Sequence, residues 1–520
     1  MVDLFRERQG MKDKILVWVL CISLLLPLAF SGCAPQSKDS LYHMDTVISG
    51  EGQLSSNNTP SAGDDNLSSQ SGSLSGDGQS TEESSQSYPA EFPSADSQVD
   101  FGSTVSGSLS QSSSSGRESS AVSGSGSGSA GSTSDSSASG SGSSGSGGSG
   151  GAVATGERRA VWITYLEYAN ILKGKSKSVF QANINAVFDN CVSQGMNTVI
   201  LQVRPFGDAL YDSGYFPWSS YASGTEGVSP GFDPLQVMVE SARARGLRIE
   251  AWINPYRIRT GSSNALSDDN PASKWLAEGS DCVVKTSSGI YYNPAREEVR
   301  QLVVNGVAEL VRNYDIDAIH FDDYFYPNPD DSFDNSAYQE YVNAGGTLGR
   351  GDWRRENVNK LVRAVYTTIK SIDSSVELGI SPQCNMSNNY NQQYIDVAKW
   401  LSNSGYVDYI APQLYVGFEN STAPYAQTVA QWNSMIKVSG IDLYVGLAVY
   451  KIGQTDTWAG SGKSEWLNVT DMLQRQVEVS REQSHYKGFI LYRYDSFANP
   501  ASGVKSQVAQ EMANLRSILQ

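Results

Sequence analysis

Residues 157–520 repeat one unit, a short apolar run followed by a helix-length amphipathic stretch. The first run is Arg159–Thr164. The stretch after it carries Phe180, Ile184, Val187, Phe188 and Cys191 at the spacing of one helix face, and Gly195 closes it. Thr198–Val203 is the second run. Asp233-Pro234 then supply an N-cap and a first-turn proline for a helix that ends at Gly246. Leu247–Asn254 is the third run, Asn293-Pro294 repeat the cap for a helix through Tyr314, and Ala318–Asp322 is the fourth. Runs at Val376–Ser381, Tyr406–Leu414, Tyr444–Val449 and Gly488–Tyr492 follow helices over 352–372, 394–402, 424–438 and 469–483. A last helix fills 503–519. Strands separated by helices pair in parallel, so eight such units predict an α/β fold, a (β/α)8 TIM barrel with insertions. The rival, a doubly wound open sheet, would carry a Gly-rich fingerprint after its first strand, and none follows here.

The first 156 residues are of another kind. Arg6, Arg8, Lys12 and Lys14 precede an apolar run, Ile15–Phe30, broken by Pro27. It is short for a membrane span, which needs about 20 residues. It reads as an export signal over 1–32, with Met1 or Met11 as the start. Phe30-Ser31-Gly32-Cys33 resembles a bacterial lipobox with Phe where Leu is usual, so Cys33 is expected to become a lipidated N-terminus. The alternative is an ordinary signal peptide with an incidental Cys. Residues 33–156 are mostly Ser, Gly and other polar residues, and 34–156 hold 13 acids against two bases. Such a chain cannot bury enough apolar surface to offset its conformational entropy and is expected to be disordered. As a Gly/Ser coil it would span about 60 Å, a tether between the anchor and the barrel.

The chain's net charge of -17 lies mostly in that tether, and the barrel segment has no excess of bases, which disfavours nucleic-acid binding. Only three His occur, His43, His320 and His485, which argues against a His-rich metal site. Cofactor fingerprints are also missing. Cys191, Cys282 and Cys384 have no CxxC spacing and read as free buried thiols.

In TIM barrels the chemistry lies at the C-terminal strand ends. Those positions here are Arg204 and Asp208, Asn254, Tyr256 and Arg257, His320, Asp322, Asp323 and Tyr324, and Ser381 and Gln383. The later strands add Gln413, Tyr415 and Glu419, then Tyr450 and Lys451, then Tyr492, Arg493 and Asp495. Trp218, Trp252, Tyr326 and Trp458 lie near them. Aromatic faces stack on sugar rings while amides and Arg hydrogen-bond hydroxyls, so this mixture suits a polysaccharide. The sharpest feature is Ile319-His-Phe-Asp-Asp-Tyr-Phe-Tyr-Pro327. Alternation puts His320 and Asp322 on one face and starts the loop at Asp323. Adjacent carboxylates can have their acidities pushed apart, as acid/base catalysis requires; the alternative reading is that one Asp caps a turn and the other binds Arg. Arg204 and Asp208 have the same second reading, an ion pair across the rim. Glu167, Glu419 and Asp495 are weaker candidates, more readily explained as solvated side chains.

From Arg159 to about Asn499 the sequence resembles the bacterial glycosyl-hydrolase-like 10 domain family. The matching phrases include Arg159-Ala-Val-Trp-Ile, Asn197-Thr-Val-Ile-Leu-Gln-Val-Arg-Pro205, Gly207-Asp-Ala-Leu-Tyr211 and Ala251-Trp-Ile-Asn-Pro-Tyr-Arg257. Tyr292-Asn-Pro294, Phe321-Asp-Asp-Tyr-Phe-Tyr-Pro327 and Ala411-Pro-Gln-Leu-Tyr415 complete the set. The resemblance implies a TIM barrel in cell-envelope proteins and peptidoglycan glycan strands, stripped of peptides, as substrate. A looser kinship to family 18 glycoside hydrolases would lay Asp317, His320 and Asp322 on that family's Asp positions, with Tyr324 where its acid Glu should stand.

The expected activity is therefore hydrolysis of a glycosidic bond by two carboxylates. Asp322 would be nucleophile or base, and Asp323 the acid or the residue tuning it, with Glu419 as alternative acid. Arg204, Asp208, Asn254, Tyr256, Arg257, His320, Gln413, Tyr415 and Arg493 would bind the sugar, and no metal is required. A non-catalytic glycan-binding surface lipoprotein is the alternative, and a metal-dependent polysaccharide deacetylase a more distant one. The expected protein is monomeric, extracytoplasmic and held to a membrane at Cys33. Its long tether favours the outer face of a Gram-positive cell.

Overall fold

The computed structural model describes residues 156–261, 265–327 and 329–519. The signal segment, the lipidated Cys33 and the Ser/Gly tether lie outside the described residues. Among these residues the strands are β1 (Arg158–Ile163), β2 (Thr198–Arg204), β3 (Arg248–Ile253), β4 (Arg257–Thr260), β5 (Val283–Lys285) and β6 (Gly289–Tyr292). They continue with β7 (Ala318–Phe321), β8 (Glu377–Ile380), β9 (Tyr409–Ile410), β10 (Asp442–Ala448) and β11 (Tyr486–Tyr492). Eight of them close a parallel barrel in the order β1-β2-β3-β7-β8-β9-β10-β11, with β11 pairing back to β1. Parallel strands covered by helices are buried on both faces, which is why β2 reads TVILQVR and is buried throughout. Closure needs Gly488, since a Cβ there would sit 2.0 Å from the Arg158 carbonyl oxygen.

The helices follow their caps. Helix Lys177–Ser193 starts where Ser176 accepts the Val179 N–H, and Gly195 leaves it at φ 83°. Helix Pro234–Arg243 starts where Asp233 accepts the Gln236 N–H at 3.0 Å, and Gly246 at φ 67° turns the chain into β3. The helix over Glu297–Asn313 begins later than Asn293-Pro294 suggested. Asn293 instead accepts the Ala295 N–H in a tight turn, and the helix follows one turn on. The sixth barrel strand is also shorter than the apolar run Tyr406–Leu414, because Pro412 lacks a ladder donor and only Tyr409–Ile410 pairs regularly. Helix Val397–Ser402 starts at its cap Asp396, two residues after the expected 394.

Two stretches between barrel strands hold structure of their own. Residues 257–292 form an antiparallel sheet in the order β4-β6-β5 with helix Pro271–Ala277 between β4 and β5. Residues 325–351 contain helix Asn335–Asn343. They follow the C-terminal ends of β3 and β7.

Candidate active site

The barrel interior is layered. Near the N-terminal strand ends, Arg158 meets Glu377 at 2.9 Å and Glu250 at 3.4 Å. Arg248 meets Glu250 at 3.2 Å and Glu377 at 2.7 Å. Arg158 also lies 4.3 Å from the Tyr444 ring centroid. Gly379 makes this layer possible, because a Cβ there would strike the Tyr409 ring at 1.8 Å. Burial raises the pKa of Glu250, but Arg158 and Arg248 outweigh it and hold the carboxyl below its ordinary range.

His320 occupies the next layer and is fully buried. The Trp162 indole N–H can only donate, so it fixes His320 Nε2 as the acceptor at 3.2 Å. Nδ1 then carries the proton and donates to the Tyr409 hydroxyl at 2.8 Å, which donates to Glu250 at 2.6 Å. Burial lowers His320 to about 4, so it is neutral at physiological pH. It links layers of the barrel rather than facing a sugar.

The top layer holds the two adjacent carboxylates. Asp322 is 2 % exposed. Its Oδ2 accepts the Trp252 indole N–H at 3.1 Å and the Asn254 amide at 3.3 Å, and its Oδ1 accepts the Tyr324 N–H at 3.1 Å. Burial and the Asp323 charge push its carboxyl up to about 7, and Arg257 and these donors only partly oppose the rise. Asp323 is half-buried. It accepts Gln383 and Gln413 amide N–H groups at 3.1 Å each. A second Gln413 bond, to the Ser381 carbonyl at 3.0 Å, fixes that amide. Tyr415, Tyr450 and Tyr492 pack with centroids 5.5–5.9 Å apart, and Trp162 joins Tyr492 at 5.9 Å. The mouth thus joins a carboxylate pair, amide donors and an aromatic wall.

Several expected sugar-binding residues do other work. Asn254 is buried; it orients Asp322 and turns the chain by accepting the Tyr256 and Arg257 N–H groups. Tyr256 is 0 % exposed and packs on Phe325. Arg204 is buried over the Phe216 ring at 4.4 Å, within reach of the Asp322 charge but without a hydrogen bond to it. Among the described residues it makes no ion pair with Asp208, so the rim pair does not form. Asp208 itself is buried and pushed up to about 7, by burial first and then by Glu226. Arg257 lies between the Phe206 and Tyr324 rings, at 4.8 and 4.4 Å, and bonds the Pro205 carbonyl. Arg493 pairs with Glu167. Glu167 is not solvated as expected: it is buried, closing a capping box with Thr164. Glu419 is exposed, and its carboxylate takes no part in the network around Asp322 and Asp323. Tyr326 is buried, and Asp317, which the family 18 alignment would use, lies at the opposite strand end holding Arg243 at 2.8 Å. The sequence reading passed over Trp162, one residue before the β1 end on the inward face; strand alternation alone would have pointed to it. Among the described residues no group of three His, Cys, Asp or Glu side chains could hold a metal ion.

Comparison with known proteins follows this geometry. "Glycosyl hydrolase YngK" of Bacillus subtilis (strain 168) is 34 % identical over 377 residues, covering 68 % of this chain and 72 % of the relative. "Glycosyl hydrolase DigH" of Escherichia coli (strain K12) is 33 % identical over 337 residues, covering 60 % and 75 %. Among solved structures, the PgaB (BpsB) glycoside hydrolase domain from Bordetella bronchiseptica superposes with a TM-score of 0.46 at 14 % identity. That superposition covers 68 % of this chain and 98 % of the other. Residues 157–460, from the first barrel strand to the loop beyond β10, match the model of one family, and the chain belongs to it: glycosyl hydrolase-like 10.

Proposed function

We propose that the chain hydrolyses glycosidic bonds of peptidoglycan glycan strands, with Asp322 and Asp323 as the reacting pair. The observation that carries this reading is the placement of two adjacent carboxylates at the mouth of a (β/α)8 barrel. One is buried and keeps its proton toward neutrality; the other is half-buried among amide donors. Glycosidases need one carboxyl to protonate the leaving oxygen and one to meet the oxocarbenium-like centre, directly or through water. Asp322 serves as the proton donor and Asp323 as the carboxylate beside the anomeric carbon, which exchanges the roles expected from the sequence alone. Gln383 and Gln413 hold Asp323 in place, and Tyr415, Tyr450 and Tyr492 offer faces to the sugar rings. Relatives named glycosyl hydrolases support the reaction class. The signal segment and the lipobox-like Cys33 support a cell-envelope polymer as substrate, met by a monomer anchored outside the cytoplasm.

The test incubates the full chain with intact and amidase-stripped peptidoglycan and identifies released fragments by mass spectrometry. New reducing ends that vanish with Asp322→Asn support the proposal, and release from stripped strands alone fixes the substrate class. Retention on the glycan without release would make the chain a glycan-binding lipoprotein instead. An aryl glycoside whose leaving group needs no proton separates the two roles: Asp322→Asn keeps more of its turnover than Asp323→Asn.

A further inference from the structure

Three consecutive strand ends place one residue each in the carboxylate site and its neighbours in a second cavity. Gln383 touches Asp323, and Cys384 and Asn385 line the cavity. Tyr415 belongs to the aromatic wall, and Val416 and Asn420 line the cavity. Tyr450 packs on Tyr415, and Lys451 lines the cavity. Its volume is about 370 Å³, within the ~300–1,000 Å³ of small-ligand sites.

The lining describes its occupant. Trp458 stands on the lip with 40 % of its surface exposed, an unusual position for so large an apolar ring. Asn385 and Asn420 each use the side-chain oxygen on local backbone N–H groups, at 3.1 Å and at 2.9–3.0 Å. Their NH2 groups have no hydrogen-bond partner among the described residues. The charged groups, Lys451 and Asp456, are both buried and neutralise each other at 2.7 Å. An uncharged ligand with acceptor oxygens and a flat apolar face fits such a surface, whereas an ionic one finds no counter-charge.

The wall is also built in advance. Lys451 Nζ donates to the Tyr415 carbonyl at 2.8 Å, tying the cavity to the aromatic wall of the mouth. Asp456 accepts the Trp458 N–H at 3.3 Å, and the Ser421 N–H donates to Ala459 O at 3.1 Å. Gly462 lies so close to the Glu419 backbone that a Cβ would meet its carbonyl oxygen at 2.3 Å. Trp458 is therefore held on a clamped loop, and little ordering is left for binding to bring about.

We propose that this cavity is a second sugar subsite, one or more rings from the scissile bond, which takes an uncharged N-acetylated hexosamine with Trp458 as its stacking platform. The proposal rests on the glycosidase reading, because it needs a strand that also crosses Asp322 and Asp323. The test titrates the full chain carrying Asp323→Asn, chosen to slow turnover, with β-1,4-linked N-acetylglucosamine dimers and hexamers. The parent is expected to bind the hexamer at least tenfold more tightly than the dimer, and Trp458→Ala to remove most of that gain, leaving the dimer unchanged. Trp458→Phe, which keeps a ring, should recover part of it. Equal hexamer binding with and without Trp458, or equal loss for both lengths, overturns the subsite and leaves the carboxylate site standing. A parent that binds neither oligomer overturns the subsite and counts against the reading beneath it.

Discussion

Glu250 and Asp322 are buried carboxylates inside one barrel, with the His320 layer between them, and their acidities move in opposite directions. Burial acts on both alike. Glu250 lies between Arg158 and Arg248 and receives the Tyr409 hydroxyl, so its charged form wins. Asp322 has a second carboxylate as its neighbour; burial and that charge outweigh Arg257 and the neutral donors that bond it. The lower layer spends its charges on one another and stiffens the barrel. The upper layer compensates its carboxylates only in part, and Asp322 keeps its proton toward neutrality. The difference between the two carboxylates lies in their partners rather than in their depth.

The largest expected effect breaks the upper half of that contrast. Asp322→Asn and Asp323→Asn should each lower turnover by about 10²–10⁴-fold, the range for losing positioned acid/base chemistry, while circular dichroism shows the barrel folded. Wild-type turnover with either variant would remove the pair from the reaction. The lower half breaks differently. Glu250→Gln leaves Arg158 and Arg248 buried with one carboxylate fewer and should destabilise the barrel by ~3–5 kcal/mol in urea unfolding. Turnover below the midpoint should stay within a few-fold of the parent. If Glu250→Gln instead abolished turnover in a folded protein, the two layers would not be separate.

The same contrast has a signature in pH. An unfolded Asp titrates near ~3.9, while folded Asp322 holds its proton up to about 7. The folded state therefore binds the proton more tightly, and this group's contribution to stability falls as pH rises from about 4 to about 7. Glu250 has the opposite sign: its contribution is present above the unfolded value of ~4.3 and is lost as pH falls through its lowered folded value. Unfolding free energies of Asp322→Asn and the parent should thus diverge in favour of the variant across pH 4–7. Turnover of the parent should decline above about pH 7, where the proton donor empties. Parallel stability curves would show that Asp322 is not held protonated.

Much of this architecture was legible beforehand. The barrel showed through because parallel strands buried on both faces leave continuous apolar runs and their helices carry Asp-Pro and Gly signals, as at Asp233-Pro234 and Gly246. Asp322 and Asp323 showed because strand alternation plus a loop start is local. What stayed hidden depends on distant chain. Arg204 and Tyr256 sit at strand ends, yet the residues that bury them, among them Phe216 and Phe325, come from other loops. Arg158, Arg248, Glu250 and Glu377 lie up to hundreds of positions apart and become a charge layer only when barrel closure brings the residues of β1, β3 and β8, which are not adjacent strands, together at one level. The small sheet over 257–292 stayed hidden because its strands are only three or four residues long.

The smallest expected effect concerns Glu419, and it sharpens the boundary of the reactive layer. Its backbone N–H donates to Glu465 Oε2 at 3.0 Å, and Phe418 donates to Oε1 at 3.1 Å, so the loop is pinned by the buried Glu465 rather than by Glu419. The Glu419 carboxylate is exposed. Glu419→Gln should therefore change stability by no more than about 0.5 kcal/mol and turnover by less than about twofold, read on the same stripped glycan. Glu465→Ala is the internal control: it leaves two N–H groups without acceptors and should cost ~1–3 kcal/mol, with any loss of turnover following the loosened loop. A hundredfold loss with Glu419→Gln in a stable protein would mean that this loop carries an acid onto the substrate. The proton donor would then lie outside the barrel interior, and the raised Asp322 would be a consequence of crowding beside Asp323 rather than a device for catalysis.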